Sequence, residues 1–175
     1  VPLSDTGRSQ ALSWRTALEH VAFRRIYCSD LVRAQLTAEI LATGSPRSVT
    51  ILPELREINL GQWDGLTAEQ VKTKFPGEWE KRGANFAEYR PAGGESFADL
   101  SNRVVPVFAD ISDTSDDAVV VIGHAGVNRV MLCHVLGMPI ANLFRIRQDY
   151  GALNIIERSG DLWQVCLMNF RRQLQ

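Results

Sequence analysis

Three side chains in this sequence are of types that act together on an anion: the imidazole of His124, the guanidinium of Arg33 and the carboxyl of Glu57. His124 closes the most apolar run of the chain, Ala118-Val-Val-Val-Ile-Gly-His-Ala-Gly-Val127. Val119 to Ile122 are β-branched and bounded by Asp117 and Gly123, the pattern of a short strand buried on both faces. The turn that follows opens a helical pattern from Val127 to Leu136. The imidazole therefore stands at the carboxyl end of a strand, where open α/β sheets bind ligands. Free N–H groups at the helix start there favour an anion. Arg33 lies in the first turn of the helix after the Cys28 strand, at the same sheet edge, and a guanidinium so placed suits phosphate. Glu57 lies just past a third strand, where a carboxyl could protonate a leaving oxygen if its pKa were raised. Glu54 and Asp64 meet the same spacing. Taken singly, each of the three also has an ordinary reading, as a satisfied core histidine, a surface arginine and a loop glutamate. Residue chemistry alone gives an anion pocket and no reaction.

The elements that must position this pocket alternate between strand and helix. Ser4 to Thr6 supply cap chemistry for a helix to about His20, with Leu12, Leu18 and Val21 on its apolar side. Arg25 to Cys28 reads as a strand. Ser29-Asp30 then caps a helix whose Leu31, Ala34, Ala38 and Leu41 recur at helical spacing until Gly44. Val49 to Leu52 is the next strand, and the unit calls for a parallel pair with a right-handed crossover. Residues about 60–95 are punctuated by glycines and carry Trp63, Trp79 and Tyr89, and Thr67 to Gln70 could form a capping box. This segment is expected to be a lid inserted over the carboxyl edge of the sheet. Ser96 caps a helix to about Ile111, which Pro106 is expected to kink. Leu153 to Glu157 and Leu162 to Leu167 flank Ser-Gly-Asp as a terminal hairpin. With no repeat or linker, residues 1–175 are read as one α/β domain.

Composition removes several classes of function. A net charge of −1 gives no polyanion surface, so nucleic acid is not an expected partner. No apolar run approaches a membrane span, and the N-terminus has no signal-like segment. Cys28, Cys133 and Cys166 are odd in number and lie in apolar stretches, so they read as reduced core residues of a cytoplasmic protein. Neither a metal nor a cofactor is expected, because no carboxylate cluster suggests magnesium and no cysteine spacing suggests zinc.

Five stretches, in order, resemble the histidine phosphatase superfamily, the phosphoglycerate mutase-like group. They are Pro2-Leu-Ser-Asp-Thr-Gly-Arg-Ser-Gln-Ala11, Cys28-Ser-Asp-Leu-Val-Arg-Ala-Gln-Leu-Thr-Ala38, Leu55-Arg-Glu-Ile-Asn-Leu-Gly-Gln-Trp-Asp-Gly65, Gly93-Gly-Glu-Ser96 and Gly123-His-Ala-Gly-Val127. The resemblance implies a three-layer α/β/α sandwich, its mostly parallel sheet ending in an antiparallel edge, and turnover through a phosphohistidine. It assigns Arg33 to phosphate binding, Glu57 to proton donation and His124 to stabilising the transferring phosphoryl group, with the Ala125 and Gly126 amides beside it. Trp63, Tyr89 and Arg90 of the lid could touch substrate, together with Trp79 and Phe86, although aromatic residues in a small lid more often form its own mini-core.

The implied reaction is hydrolysis of a phosphoric monoester, with a small phosphorylated metabolite as partner. A mutase-type phosphotransferase and a non-catalytic phosphate-binding domain are the alternatives. Within the superfamily the short lid, Gly-Gln-Trp-Asp-Gly and Gly-Gly-Glu-Ser are similar to the alpha-ribazole phosphate and broad-specificity phosphatases.

The resemblance also implies a nucleophilic histidine in an Arg-His-Gly motif, upstream of the Pro-Leu-Ser segment with which this chain opens. His20 and His134 lie in other contexts and read as structural. One central strand and a loop, on the order of 15 to 25 residues, are thus expected to be missing, and the chain alone is expected to be inactive. That strand is expected between Arg25–Cys28 and Val119–Ile122, so a gap should separate those two, or another chain should fill it.

Overall fold

The structure, a computed structural model, describes residues 1–115 and 117–172. Helix α1 (Asp5–Ala17) starts from Ser4, whose hydroxyl accepts the Gly7 N–H, and leads to strand β1 (Arg25–Cys28). Helix α2 (Val32–Ala42) and strand β2 (Ser48–Ile51) follow. Single 3₁₀ turns at Pro53–Leu55 and Gly61–Trp63 come next, and then two short helices, α3 (Ala68–Lys74) and α4 (Glu78–Ala84). Helix α5 (Phe97–Asp113), strand β3 (Val119–Ile122) and helix α6 (Ala125–Val135) come next. The chain ends in a hairpin of β4 (Leu153–Ser159) and β5 (Leu162–Phe170).

Alternation along the strands builds three layers. Tyr27, Val119 and Val121 face a core made with Leu100, Val104 and Phe108 of α5 and Val127, Val130 and Met131 of α6. Ile26, Cys28, Val120 and Ile122 face the opposite core, with Ala11 of α1 and Ala34, Ala38 and Leu41 of α2. The expected α/β class, with a parallel sheet and an antiparallel pair, is observed. The hairpin, however, forms a sheet of its own rather than an edge of the parallel one.

The expected gap is absent. Strand order is β2-β1-β3, and β1 pairs directly with β3 in parallel, Arg25 opposite Val119 through Cys28 opposite Ile122. The direct ladder satisfies the backbone groups that an intervening strand would have had to cover. Among the described residues, no strand pairs with the other side of β3. A cleft of about 940 Å³ opens there, lined by Val119, Val120 and Val121 on one side and Leu153 to Glu157 on the other. All four β3 residues are only half-buried.

Smaller corrections have local causes. Helix α1 ends at Ala17, and Leu12 and Val21 are exposed while Ala11 carries the buried face. Helix α2 has Leu31 as its N-cap, without a side-chain bond, because Ser29 and Asp30 are engaged elsewhere. Helix α5 runs past Pro106 to Asp113. Cys28 and Cys133 are buried and unpaired, whereas Cys166 is exposed on β5. No helix of the described residues is long and apolar enough to cross a membrane.

Candidate active site

Parallel register fixes the centre of the site. With Cys28 opposite Ile122, the next residues of the two strands carry Ser29 and His124 to the same edge. Ser29 is wholly buried and His124 is 9% exposed, and Ser29 Oγ lies 2.6 Å from His124 Nε2. His124 is the extended N-cap of α6, and its carbonyl accepts the Asn128 N–H, the first bond of that helix. Its ring takes no part in capping and bonds Ser29 instead. Burial, with the charges of Arg33 and Arg103, pushes its pKa from 6.5 down to about 4, opposed in part by Asp30. At neutral pH the imidazole is uncharged, with one N–H to donate.

Glu57 arrives from the loop after β2. Its carboxylate accepts two backbone N–H groups, Gly126 at Oε2 (3.0 Å) and Ile58 at Oε1 (3.0 Å). Gly126 sits in the first turn of α6, where amides have no intrahelical partner, so the carboxylate takes the place expected for a bound anion. A Cβ at position 126 would crowd the Glu57 carboxylate and push it aside, so its close approach to this amide relies on the glycine. The Gly126 amide thus positions Glu57 rather than lying open for phosphate.

Arg33, in the first turn of α2, is half-buried and makes no ion pair among the described residues. Asp30 instead pairs through both carboxylate oxygens with Arg56, tying the β1 exit to the Glu57 loop. Glu54 and Asp64, which matched Glu57 on spacing, are exposed. His20 and His134 are exposed as well, the latter edge-on to Trp163.

The lid residues are turned toward protein partners. Trp63 is 4% exposed and stacks on Tyr89 and Trp79, with ring centroids 5.4 and 6.1 Å apart. Arg82 lies over Trp79 and Phe86. The Tyr89 hydroxyl donates to Glu78 Oε2 at 2.6 Å, and burial together with that carboxylate pushes the phenol up to about 12. Arg90 pairs with Asp99, which also closes the Ser96 capping box. No group of three or more His, Cys, Asp or Glu side chains among the described residues could hold a metal ion.

Two residues of the site were not singled out in the sequence. Ser29 reads as a helix cap, and its burial against His124 depends on strand register. Arg103 does carry a signal, since a charged residue between Leu100 and Val104 falls on the buried stripe of α5.

The chain as a whole has known relatives. A family model described as the histidine phosphatase superfamily (branch 1) matches residues 1–171. The adenosylcobalamin/alpha-ribazole phosphatase of Escherichia coli K12 is 28% identical over 171 residues, covering 97% of this chain and 84% of that protein. The glucosyl-3-phosphoglycerate phosphatase of Mycolicibacterium vanbaalenii is 35% identical over 154 residues, covering 80% of this chain and 65% of its relative. Among solved structures, the alpha-ribazole phosphatase from Shigella flexneri superposes with a TM-score of 0.88 at 27% identity, covering 97% of this chain and 85% of that one. Mycobacterial glucosyl-3-phosphoglycerate phosphatase in complex with VO3 gives 0.84 at 28% identity, covering 97% and 87%.

Proposed function

The chain belongs to the histidine phosphatase superfamily, and on that footing we propose that it is a phosphoric monoester hydrolase that works through a phosphohistidine. One observation carries the reading. Three strand ends bring a neutral imidazole, an arginine with no ion pair among the described residues and a backbone-fixed carboxyl group to one edge of the sheet.

In the first step the accepting histidine attacks phosphorus, the N–P bond forms and the bond to the leaving oxygen breaks. Arg33 and the N–H of His124 stabilise charge on the equatorial oxygens. A dianionic phosphoryl group raises the His124 pKa and strengthens that contact. Glu57, after taking up a proton from the substrate's phosphate or from solvent, delivers it to the leaving alkoxide, then removes one from the water that attacks phosphorus and breaks the N–P bond. No metal is needed for these steps, since the positive charge comes from side chains.

His20 and His134 stand outside the pocket, so the acceptor is proposed to be a histidine on a segment preceding residue 1. The open edge of β3 supports placing that segment as a strand in the cleft facing β4. On this reading residues 1–175 form one catalytic domain whose lid spans about 60–95, and by themselves they do not turn over. The substrate is a small phosphorylated metabolite of the cytoplasm. The names of the relatives make alpha-ribazole phosphate and glucosyl-3-phosphoglycerate the first to try.

The test compares the complete gene product with the 175-residue chain, using both compounds and 3-phosphoglycerate. Release of inorganic phosphate by the complete protein, with an acid-labile phosphoenzyme trapped on rapid quenching, is expected. Phosphoryl movement within 3-phosphoglycerate without release would make it a mutase. Phosphatase activity of the 175-residue chain that survives His124→Ala would overturn the site.

A further inference from the structure

The loop bearing Glu57 has no regular structure between the 3₁₀ turns at Pro53–Leu55 and Gly61–Trp63. Its carbonyls therefore need partners from outside the loop. Arg103 supplies them. Its Nη1 donates to Glu54 O (2.5 Å) and Arg56 O (2.8 Å), and its Nη2 reaches Glu57 O (3.3 Å). The rest of the guanidinium grips Glu95, from Nε to Oε1 at 2.7 Å and from Nη2 to Oε2 at 2.9 Å. Glu95 returns to the same loop, since its Oε2 accepts the Asn59 N–H (2.9 Å) and its own N–H donates to Asn59 O (2.7 Å). Bonding to Arg103 holds the Glu95 carboxyl below the usual range, so it stays ionised and the pair stays formed. Leu100 and Val104, both fully buried, fix the helix on either side of Arg103.

We infer that Arg103 is a positioning residue for Glu57: its planar fork locks the carbonyls of Glu54, Arg56 and Glu57 so that the carboxylate rests on the Gly126 amide at the start of α6. The consequence for turnover rests on the proposed phosphatase reading; the placement of the carboxylate does not. A lysine cannot substitute, because one ammonium cannot span Glu54 O, Arg56 O, Glu57 O and both oxygens of Glu95 in a plane. Charge is a separate contribution. Arg103 also depresses the His124 pKa from a distance, and a lysine would preserve that effect.

The two roles can be read independently in the 175-residue chain. The Gly126 amide, with Glu57 as its acceptor, reports the position of the carboxylate through hydrogen exchange, and the His124 ring reports charge through its NMR titration. Glu57→Ala calibrates the first readout by removing the acceptor. In Arg103→Lys, Gly126 should exchange about tenfold faster, the equivalent of one lost net hydrogen bond, while His124 titrates as in the wild type. In Arg103→Met, exchange should rise equally and the His124 pKa should rise too.

Unchanged Gly126 exchange in a folded Arg103→Met protein overturns the inference, and full protection in Arg103→Lys overturns the requirement for the fork. If neither variant folds, Glu95→Gln carries the test with the same readout, weakening the grip on Arg103 while keeping its shape. In the complete gene product, Arg103→Lys should lower kcat with KM within about twofold, since Glu57 acts on the leaving group rather than on binding. A protein whose Gly126 amide responds but which releases no phosphate would leave Arg103 as a positioning residue and remove the phosphatase reading.

Discussion

Glu57 and His124 stand at one edge of the sheet but are held in different ways. Glu57 is gripped from four directions: by Gly126 and Ile58 at its carboxylate, by Arg103 at its carbonyl and by the Asp30–Arg56 pair beside it. His124 has a side-chain partner in Ser29, and its strand, β3, has one paired edge and one edge facing a cleft. The Glu57 side is thus held by hydrogen bonds at both its carboxylate and its backbone. The imidazole side lies on a strand that is still partly open. On the proposed phosphatase reading, this division keeps the Glu57 carboxyl group fixed and leaves the side of the open strand for the reacting group.

The sharpest way to break that contrast is to remove the proposed proton donor. Glu57→Gln keeps the shape and an oxygen to accept the Gly126 N–H, but it has no proton to give to an alkoxide. In the complete gene product kcat is expected to fall by about 10² to 10⁴, the usual weight of general-acid catalysis. The loss should shrink for substrates with good leaving groups, which need no protonation. Equal loss for an alkyl and an aryl phosphate would remove Glu57 from that role.

The contrast in packing predicts unequal costs of truncation. Leu100 is fully buried in the α5–α6 core, so Leu100→Ala should destabilise by about 2 to 5 kcal/mol. Val121 is half-buried on the cleft strand, and Val121→Ala should cost less than half as much in the 175-residue chain, by urea unfolding. If β3 becomes interior in the complete protein, the two costs should converge there. Equal costs already in the shorter chain would contradict the open edge.

Acid offers a gentler probe of the imidazole side. The folded-state pKa of His124 is about 4 against 6.5 for an unperturbed histidine, set by burial with Arg33 on α2 and Arg103 on α5 and opposed by Asp30. Between those values the unfolded chain binds more protons than the folded one, so stability rises with pH. The penalty is absent above about pH 6.5, grows as pH falls and is complete below about 4, reaching about 3 kcal/mol. The carboxylates of Asp30, Glu95 and Asp99 are held below their usual range and lose their own contributions at lower pH. The difference between wild type and His124→Gln isolates the histidine. A pH-independent difference between 4 and 6.5 would mean that His124 is not buried in neutral form.

How much of this could be read from the sequence follows from the range of each interaction. The strand before His124, the helix after Ser96 and the buried stripe of Ala34, Ala38 and Leu41 are local patterns, and each was visible in the residues. Bringing Glu57, His124 and Arg33 to one edge follows from strand ends and the family motifs. What could not be read was lateral order. Nothing in Arg-Ile-Tyr-Cys or Val-Val-Val-Ile names its neighbour, so the cleft was expected on the wrong side of β3. The clasp of Glu57 by Gly126 spans 69 positions and that of Glu54 by Arg103 spans 49. Such contacts leave only an indirect trace, such as a charged residue on an apolar stripe.

Ser29 is the smallest lever and the cleanest check on the imidazole side. It is fully buried, and its hydroxyl is the side-chain partner of His124 Nε2. Ser29→Ala removes one hydroxyl, leaves β1 and its pairing intact and strands a buried ring nitrogen. That should cost about 1 to 3 kcal/mol, the penalty for an unsatisfied buried polar atom rather than the smaller net worth of a hydrogen bond. Fluctuations of the ring should increase as well, visible as broadened imidazole resonances, while the Gly126 amide keeps its protection because Glu57 is held by other residues. Restoration of the wild-type imidazole signal by Ser29→Thr, which returns the hydroxyl, would tie the effect to that bond. A Ser29→Ala protein of unchanged stability and unchanged His124 resonances would show that the imidazole is held by packing alone, and that both sides of the pocket are equally fixed.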